Sequence, residues 1–149
     1  RIFIPNLGFR KSKLPKKIPK PIIKKIQFLK KRSKNKEAYL KNVYKFLTKK
    51  YQGKRRTILK KPRLLFETNL EKIWKRKGFI PCHTFSNLIR LFLVKSNKFK
   101  DKDIKIKHTF FQFSIHQYLE VRIKRKWKKV DGWAKGIGIK FGDHARMFK

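Results

Sequence analysis

The chain has 149 residues, enough for one domain that buries roughly two-thirds of its unfolded surface. Its 45 Lys and Arg against 8 Asp and Glu leave a net charge of +37, while 40% hydrophobic residues exclude a wholly disordered tail. A coding sequence rich in A and T would enrich Glu along with Lys; Glu is scarce, so the cationic excess asks for a polyanion such as nucleic acid or an anionic membrane surface.

No apolar run reaches the roughly 20 residues of a membrane span, so no transmembrane helix is expected. No signal-peptide pattern follows Arg1, which makes a cytoplasmic location the expectation. The single cysteine, Cys82, excludes an internal disulfide and a multi-cysteine zinc site. Residues 1–63 hold 24 basic residues and one acid, Glu37, whereas 64–149 hold 21 and seven. That shift predicts a basic, partly helical extension over 1–63 and a folded core over 64–149. Pro5, Pro15, Pro19 and Pro21 among lysines predict an extended arm over residues 1–20.

Ile22, Ile23, Ile26 and Leu29 then keep helical spacing, as do Ala38, Leu40, Val43, Tyr44 and Leu47, predicting helices over 22–30 and 36–51. Both are basic and amphipathic: their apolar stripes pack on the core and their lysines are solvated, or they bind a polyanion or a membrane surface. Thr68 and Glu71 form a capping-box pattern before a short helix over 69–77, with Gly78 as its stop. Pro81 suits the first turn of a buried helix that carries Phe85, Leu88, Ile89, Leu91, Phe92 and Leu93 to Lys95. Alternation from Ile104 to Gln112 and from Ile115 to Ile123 predicts two strands. Arg125 and Lys126 are the expected turn into a third, Trp127 to Val130, making an antiparallel hairpin. Gly136, Gly138 and Gly142 suggest turns and a final strand lining the site.

As a bare residue Cys82 reads first as a small buried hydrophobe, but it falls in the first turn of its helix, where unsatisfied N–H groups and the helix dipole favour a thiolate. A thiolate nucleophile needs a base that returns a proton to the leaving group, which histidine can be. His83 is a poor partner, because adjacent residues on a helix do not face each other. His116 is better placed, on a strand face shared with Tyr118 and Glu120. A carboxylate must fix its tautomer, and Asp131, at the end of the next strand, returns beside it.

In this order Cys82, the strand His116-Gln-Tyr118-Leu-Glu120-Val121, and Trp127-Lys-Lys-Val130-Asp131 resemble the transglutaminase-like superfamily of papain-like folds. The separations of 34 and 15 residues also fit such a core. The resemblance spans residues 68–145. It implies an α+β fold with a papain/transglutaminase-like core, the cysteine helix packed on an antiparallel sheet; the basic helical extension read from the charge shift precedes it. It implies Cys82 as nucleophile, His116 as general base and acid, and Asp131 as orienting carboxylate. The implied chemistry is acyl transfer or hydrolysis at an amide carbonyl of a protein or peptide, through a thioester, with no cofactor and no metal. Trp133, Tyr118, Asp143 and His144 are candidate substrate contacts, and Glu120 a buried or edge partner for a neighbouring base. The chain departs from the pattern at Ser86, where alanine is usual, and at Gly132-Trp133, where proline is common.

Other classes find less support. No metal-ligand spacing, phosphate loop or RNP-like motif is present, although Phe and Tyr among the lysines could stack on single-stranded RNA. The alternative to an enzyme is a basic nucleic-acid- or ribosome-associated protein on the same fold, contacting a polyanion through residues 1–63.

Overall fold

The structure, a computed structural model, describes residues 10–53, 62–112 and 114–147. Residues 1–9 of the expected arm and 54–61 of the expected extension lie outside them. Residues 10–19 precede the first helix, yet they are no free arm, because Leu14 and Ile18 pack on the hydrophobic core. Buried Arg90 donates to the Ser12 carbonyl at 2.8 Å and clasps Asp101 through Nε and Nη2 at 2.7 and 3.2 Å.

Helix α1, Lys20–Lys31, has Pro21 in its first turn, where the missing N–H costs nothing, and buries Ile22, Ile26 and Leu29 on one face. Asn35 caps helix α2, Lys36–Lys50, by accepting from the Ala38 N–H at 2.9 Å. α2 buries Tyr39, Leu40, Val43, Tyr44 and Leu47, and the Tyr39 hydroxyl donates to the Phe92 carbonyl at 2.9 Å. A short parallel pair follows, β1 Tyr51–Gln52 with β2 Gly78–Phe79. Between these strands lie a 3-10 turn, Pro62–Phe66, and helix α3, Leu70–Lys75. The cap of α3 is Asn69 rather than the expected Thr68: Asn69 Oδ1 accepts from the Glu71 and Lys72 N–H groups at 3.0 and 3.1 Å. Glu67 accepts from the Asn69 N–H at 2.9 Å, so the back-bond of a capping box comes from an acid before the helix instead of from Glu71.

Helix α4, Cys82–Lys95, is central. Every residue from Thr84 to Leu93 is buried, because this helix is apolar around most of its circumference and is covered on all sides. Strands β3 Ile104–Phe111, β4 Ser114–Ile123 and β5 Lys126–Val130 form an antiparallel sheet in that order. Ile123 pairs with Lys126, so the tip of the β4–β5 hairpin is Lys124-Arg125, one residue earlier than expected. No Gly or Asn marks this tip, and Lys124 itself takes φ 56°.

β5 is short, and its last residue, Val130, pairs with Leu119; residues 114–118 of β4 therefore extend past it. The final strand expected after Gly136 does not form. Trp133–Ile137 is 3-10, Gly138 and Gly142 take φ 90° and 99°, and the segment meets the sheet through a single Lys129–Gly142 bridge. One hydrophobic cluster joins Ile22, Leu40 and Leu47 to Leu88, Phe92, Leu119 and Val130, so residues of the expected extension and the expected core share it. The architecture is α+β. Among the described residues no helix is long and apolar enough to cross a membrane.

Candidate active site

Pro81 ends the β2 segment and makes Cys82 the first residue of α4, where the first backbone N–H groups have no intrahelical acceptor. The thiol is half-buried. Cys82 and Ser86, four apart and therefore on one helix face, both meet the backbone of Gln117. The Gln117 N–H donates to the Cys82 sulfur, and the Gln117 carbonyl accepts from Ser86 Oγ at 3.4 Å. The N–H and C=O of one strand residue point to the same side. The start of α4 therefore occupies the edge of β4 that β5 leaves open, and Ser86, alanine in the resembled family, has a backbone partner there.

His116 precedes Gln117. Its ring is 1% exposed, it hydrogen-bonds to the Cys82 thiol, and its Nε2 donates to Asp131 Oδ2 at 2.7 Å. With Nε2 engaged, Nδ1 is the nitrogen left for the sulfur. Asp131 follows the last residue of β5 and is 2% exposed. Its Oδ1 accepts from the Ala134 N–H at 3.1 Å and its Oδ2 from the Ala145 N–H at 3.0 Å. One carboxylate thus caps the 133–137 turn, pins the C-terminal segment and holds the imidazole.

Burial favours the neutral thiol, but hydrogen bonds from His116 and His83, the His116 charge and the Gln117 N–H outweigh it and bring Cys82 down to about 6. Burial also opposes an imidazolium, yet hydrogen bonds to Asp131 and Cys82, with their charges, raise His116 to about 9. Between these values the favoured state is a thiolate–imidazolium pair, titrating as a unit.

His83, discounted from its spacing, does reach the thiol. Its Nε2 lies 3.2 Å from the Leu65 carbonyl in the Pro62–Phe66 turn. That anchor is 18 residues away, so no local pattern announces it. Nor could the Gln117 contribution be read from side chains, since it is a backbone N–H.

The expected substrate contacts differ in their surroundings. Trp133 is 4% exposed with its ring 5.0 Å from that of His116, and Tyr118, 7% exposed, stacks at 4.2 Å on His144. These rings are spent on packing around the pair. Asp143 is half-exposed, 3.6 Å from both His144 Nδ1 and Arg146 Nη2. Glu120 stands opposite two basic neighbours, Lys105 and Lys129, in the register of the sheet. Two glycines admit the rings: a Cβ on Gly53 would lie 2.4 Å from the Trp133 ring, and one on Gly132 would lie 2.4 Å from the Phe85 ring. Phe85 therefore excludes the proline that the resembled family commonly has at that place. Among the described residues no group of three or more His, Cys, Asp or Glu side chains could hold a metal ion. Compared with known proteins, the chain matches no protein-family model and no curated sequence.

Proposed function

We propose that this protein is a cysteine enzyme with a papain- or transglutaminase-like core that attacks the amide carbonyl of a protein or peptide. The observation that carries this reading is the unbroken chain from thiol to imidazole to a buried carboxylate, with 2.7 Å between His116 Nε2 and Asp131 Oδ2. The Cys82 thiolate adds to the carbonyl carbon, and the tetrahedral oxyanion takes a hydrogen bond from the Cys82 backbone N–H at the start of α4. The imidazolium passes its Nδ1 proton to the departing nitrogen as the C–N bond breaks, leaving a thioester on Cys82. His116 then removes a proton from the acceptor, water or an amine, and the second tetrahedral intermediate collapses to release the thiolate. Asp131 keeps its negative charge throughout and stabilises the imidazolium. A lone thiol that has to stay reduced suits a cytoplasmic setting.

The test is the pH profile of Cys82 alkylation by iodoacetamide, followed by mass spectrometry. The midpoint is expected near 6 in the native protein and in the ordinary thiol range, about 8.5, in His116→Ala. The midpoint is the sound readout, because a thiolate of low pKa is also intrinsically less nucleophilic and absolute rates partly cancel. An ordinary thiol midpoint in the native protein would sink the reading and leave a basic binding protein as the better one.

A further inference from the structure

Helices α1, α2 and α3 carry a large excess of lysine over their two acids, Glu37 and Glu71. Two clefts flank Trp74. One, of about 380 Å³, is lined by Lys25, Phe46, Lys49, Lys50, Trp74 and Lys77 and holds no acid. Its neighbour, of about 340 Å³, adds Lys20 and Lys75 with one acid, Glu71. Most other acids are engaged elsewhere: Glu37 with Lys128, Asp101 with Arg90, Asp103 with Arg122 and Asp131 with His116. Within the first cleft Lys50 is crowded, its ammonium held below the ordinary lysine range by burial and by the charge of Lys77.

The rings between these lysines are arranged for stacking. The half-buried Trp74 indole has the Phe92 ring stacked on it at 6.0 Å, and Lys50 Nζ lies 4.7 Å from its centroid. Phe46 lies 5.9 Å from Trp74, with Lys25 Nζ 4.8 Å from its own centroid. Trp74 and Phe46 thus each have an ammonium against the ring, Lys50 and Lys25, that can swing to a phosphate and give up its place to a flat group.

We infer that the Trp74 cleft binds single-stranded nucleic acid, its phosphates held by Lys25, Lys49, Lys50 and Lys77 and one base stacked on the indole. A half-buried indole between two concavities suits a strand that can turn a base inward. A closed duplex keeps its bases stacked on one another, and a bilayer offers a plane of headgroups rather than an insertable base. The inference is independent of the chemistry at Cys82.

The experiment is fluorescence anisotropy of a labelled single-stranded oligouridine with the full chain across a salt series. It compares the native protein with Lys49→Ala/Lys50→Ala/Lys77→Ala and with a charge-matched control, Lys100→Ala/Lys102→Ala/Lys124→Ala. The control lysines line a cleft with no aromatic residue and with Asp103 and Arg122 already present. The cleft variant is expected to lose about tenfold in affinity beyond the control, and its slope of log affinity against log salt to fall by about 2. Quenching of indole emission by the oligonucleotide is expected to disappear in Trp74→Phe, which keeps an aromatic ring against Phe92 and so tests the site even where the triple variant folds poorly. Equal losses in the two triple variants overturn the inference. So does binding to phosphatidylserine vesicles with none to oligouridine, or quenching that survives Trp74→Phe.

Discussion

His116 and His144 are both buried, both lie near an aspartate, and both belong to the ring cluster on one side of β4, yet their proton affinities move in opposite directions. Burial lowers each of them. At His116 the opposing carboxylate is 2% exposed and accepts a 2.7 Å hydrogen bond, and the ring rises to about 9. At His144 the carboxylate is Asp143, with a side chain 45% exposed and 3.6 Å away. Burial and the charge of Lys129 prevail there, and the ring is held below the ordinary histidine range. A charge shared with solvent and with Arg146 is screened, whereas a buried and directly bonded one is not. An acid in sequence proximity to a histidine therefore says little; the depth and engagement of its carboxylate decide.

The largest break in this contrast comes from removing the deep carboxylate. Asp131→Ala would strand three buried donors: the His116 ring and the Ala134 and Ala145 N–H groups. The expected loss is about 3–5 kcal/mol in chemical denaturation. Asp131→Asn keeps the shape and an acceptor but removes the charge. The His116 midpoint, followed by NMR of the ring, should then fall well below 9, and the alkylation midpoint of Cys82 should rise with it. An unchanged His116 midpoint in Asp131→Asn would show that the contrast with His144 does not rest on the carboxylate.

The elements and the order Cys82, His116, Asp131 were legible because periodicity, the Pro81 helix start and the alternation of β4 are local signals. The rest was not, for physical reasons. His83 depends on a carbonyl in another element, and Gln117 contributes its backbone. Tyr118, Trp133 and His144 look like surface aromatics near a site, and only tertiary packing turns their rings inward. The failed final strand reflects glycines with φ near 90° and 99°, whose turns break a ladder. Gly132 offers a second break of intermediate size. Its backbone is ordinary, at φ −70°, so the cost of Gly132→Ala is purely the Cβ set 2.4 Å from the Phe85 ring. Overpacking of this kind costs about 1–3 kcal/mol. Because Phe85 lies on α4 three residues after Cys82, the push also separates Asp131 from the cysteine helix. The variant should therefore raise the Cys82 alkylation midpoint as well as lower its melting temperature; a destabilised protein whose midpoint stays near 6 would decouple the two.

The smallest expected effect sharpens the contrast through pH. His116 binds its proton more tightly folded than unfolded, so its contribution is full below about 6.5 and is lost as pH rises through about 9. His144 has the opposite sign: the unfolded chain binds the proton more tightly, so stability is lost as pH falls below about 6.5. Cys82 also loses its contribution as pH falls through about 6, so the measurement belongs in a Cys82→Ser background. In that background His144→Phe keeps a ring to stack on Tyr118 and removes the proton site, and stability should change less between pH 7 and pH 5 than with His144 present. The expected readout is a shallower acid limb of stability in chemical denaturation across that pH range. An acid limb as steep in His144→Phe as in its parent would mean that His144 titrates normally, and that burial beside Lys129 does not suffice to set it apart from His116.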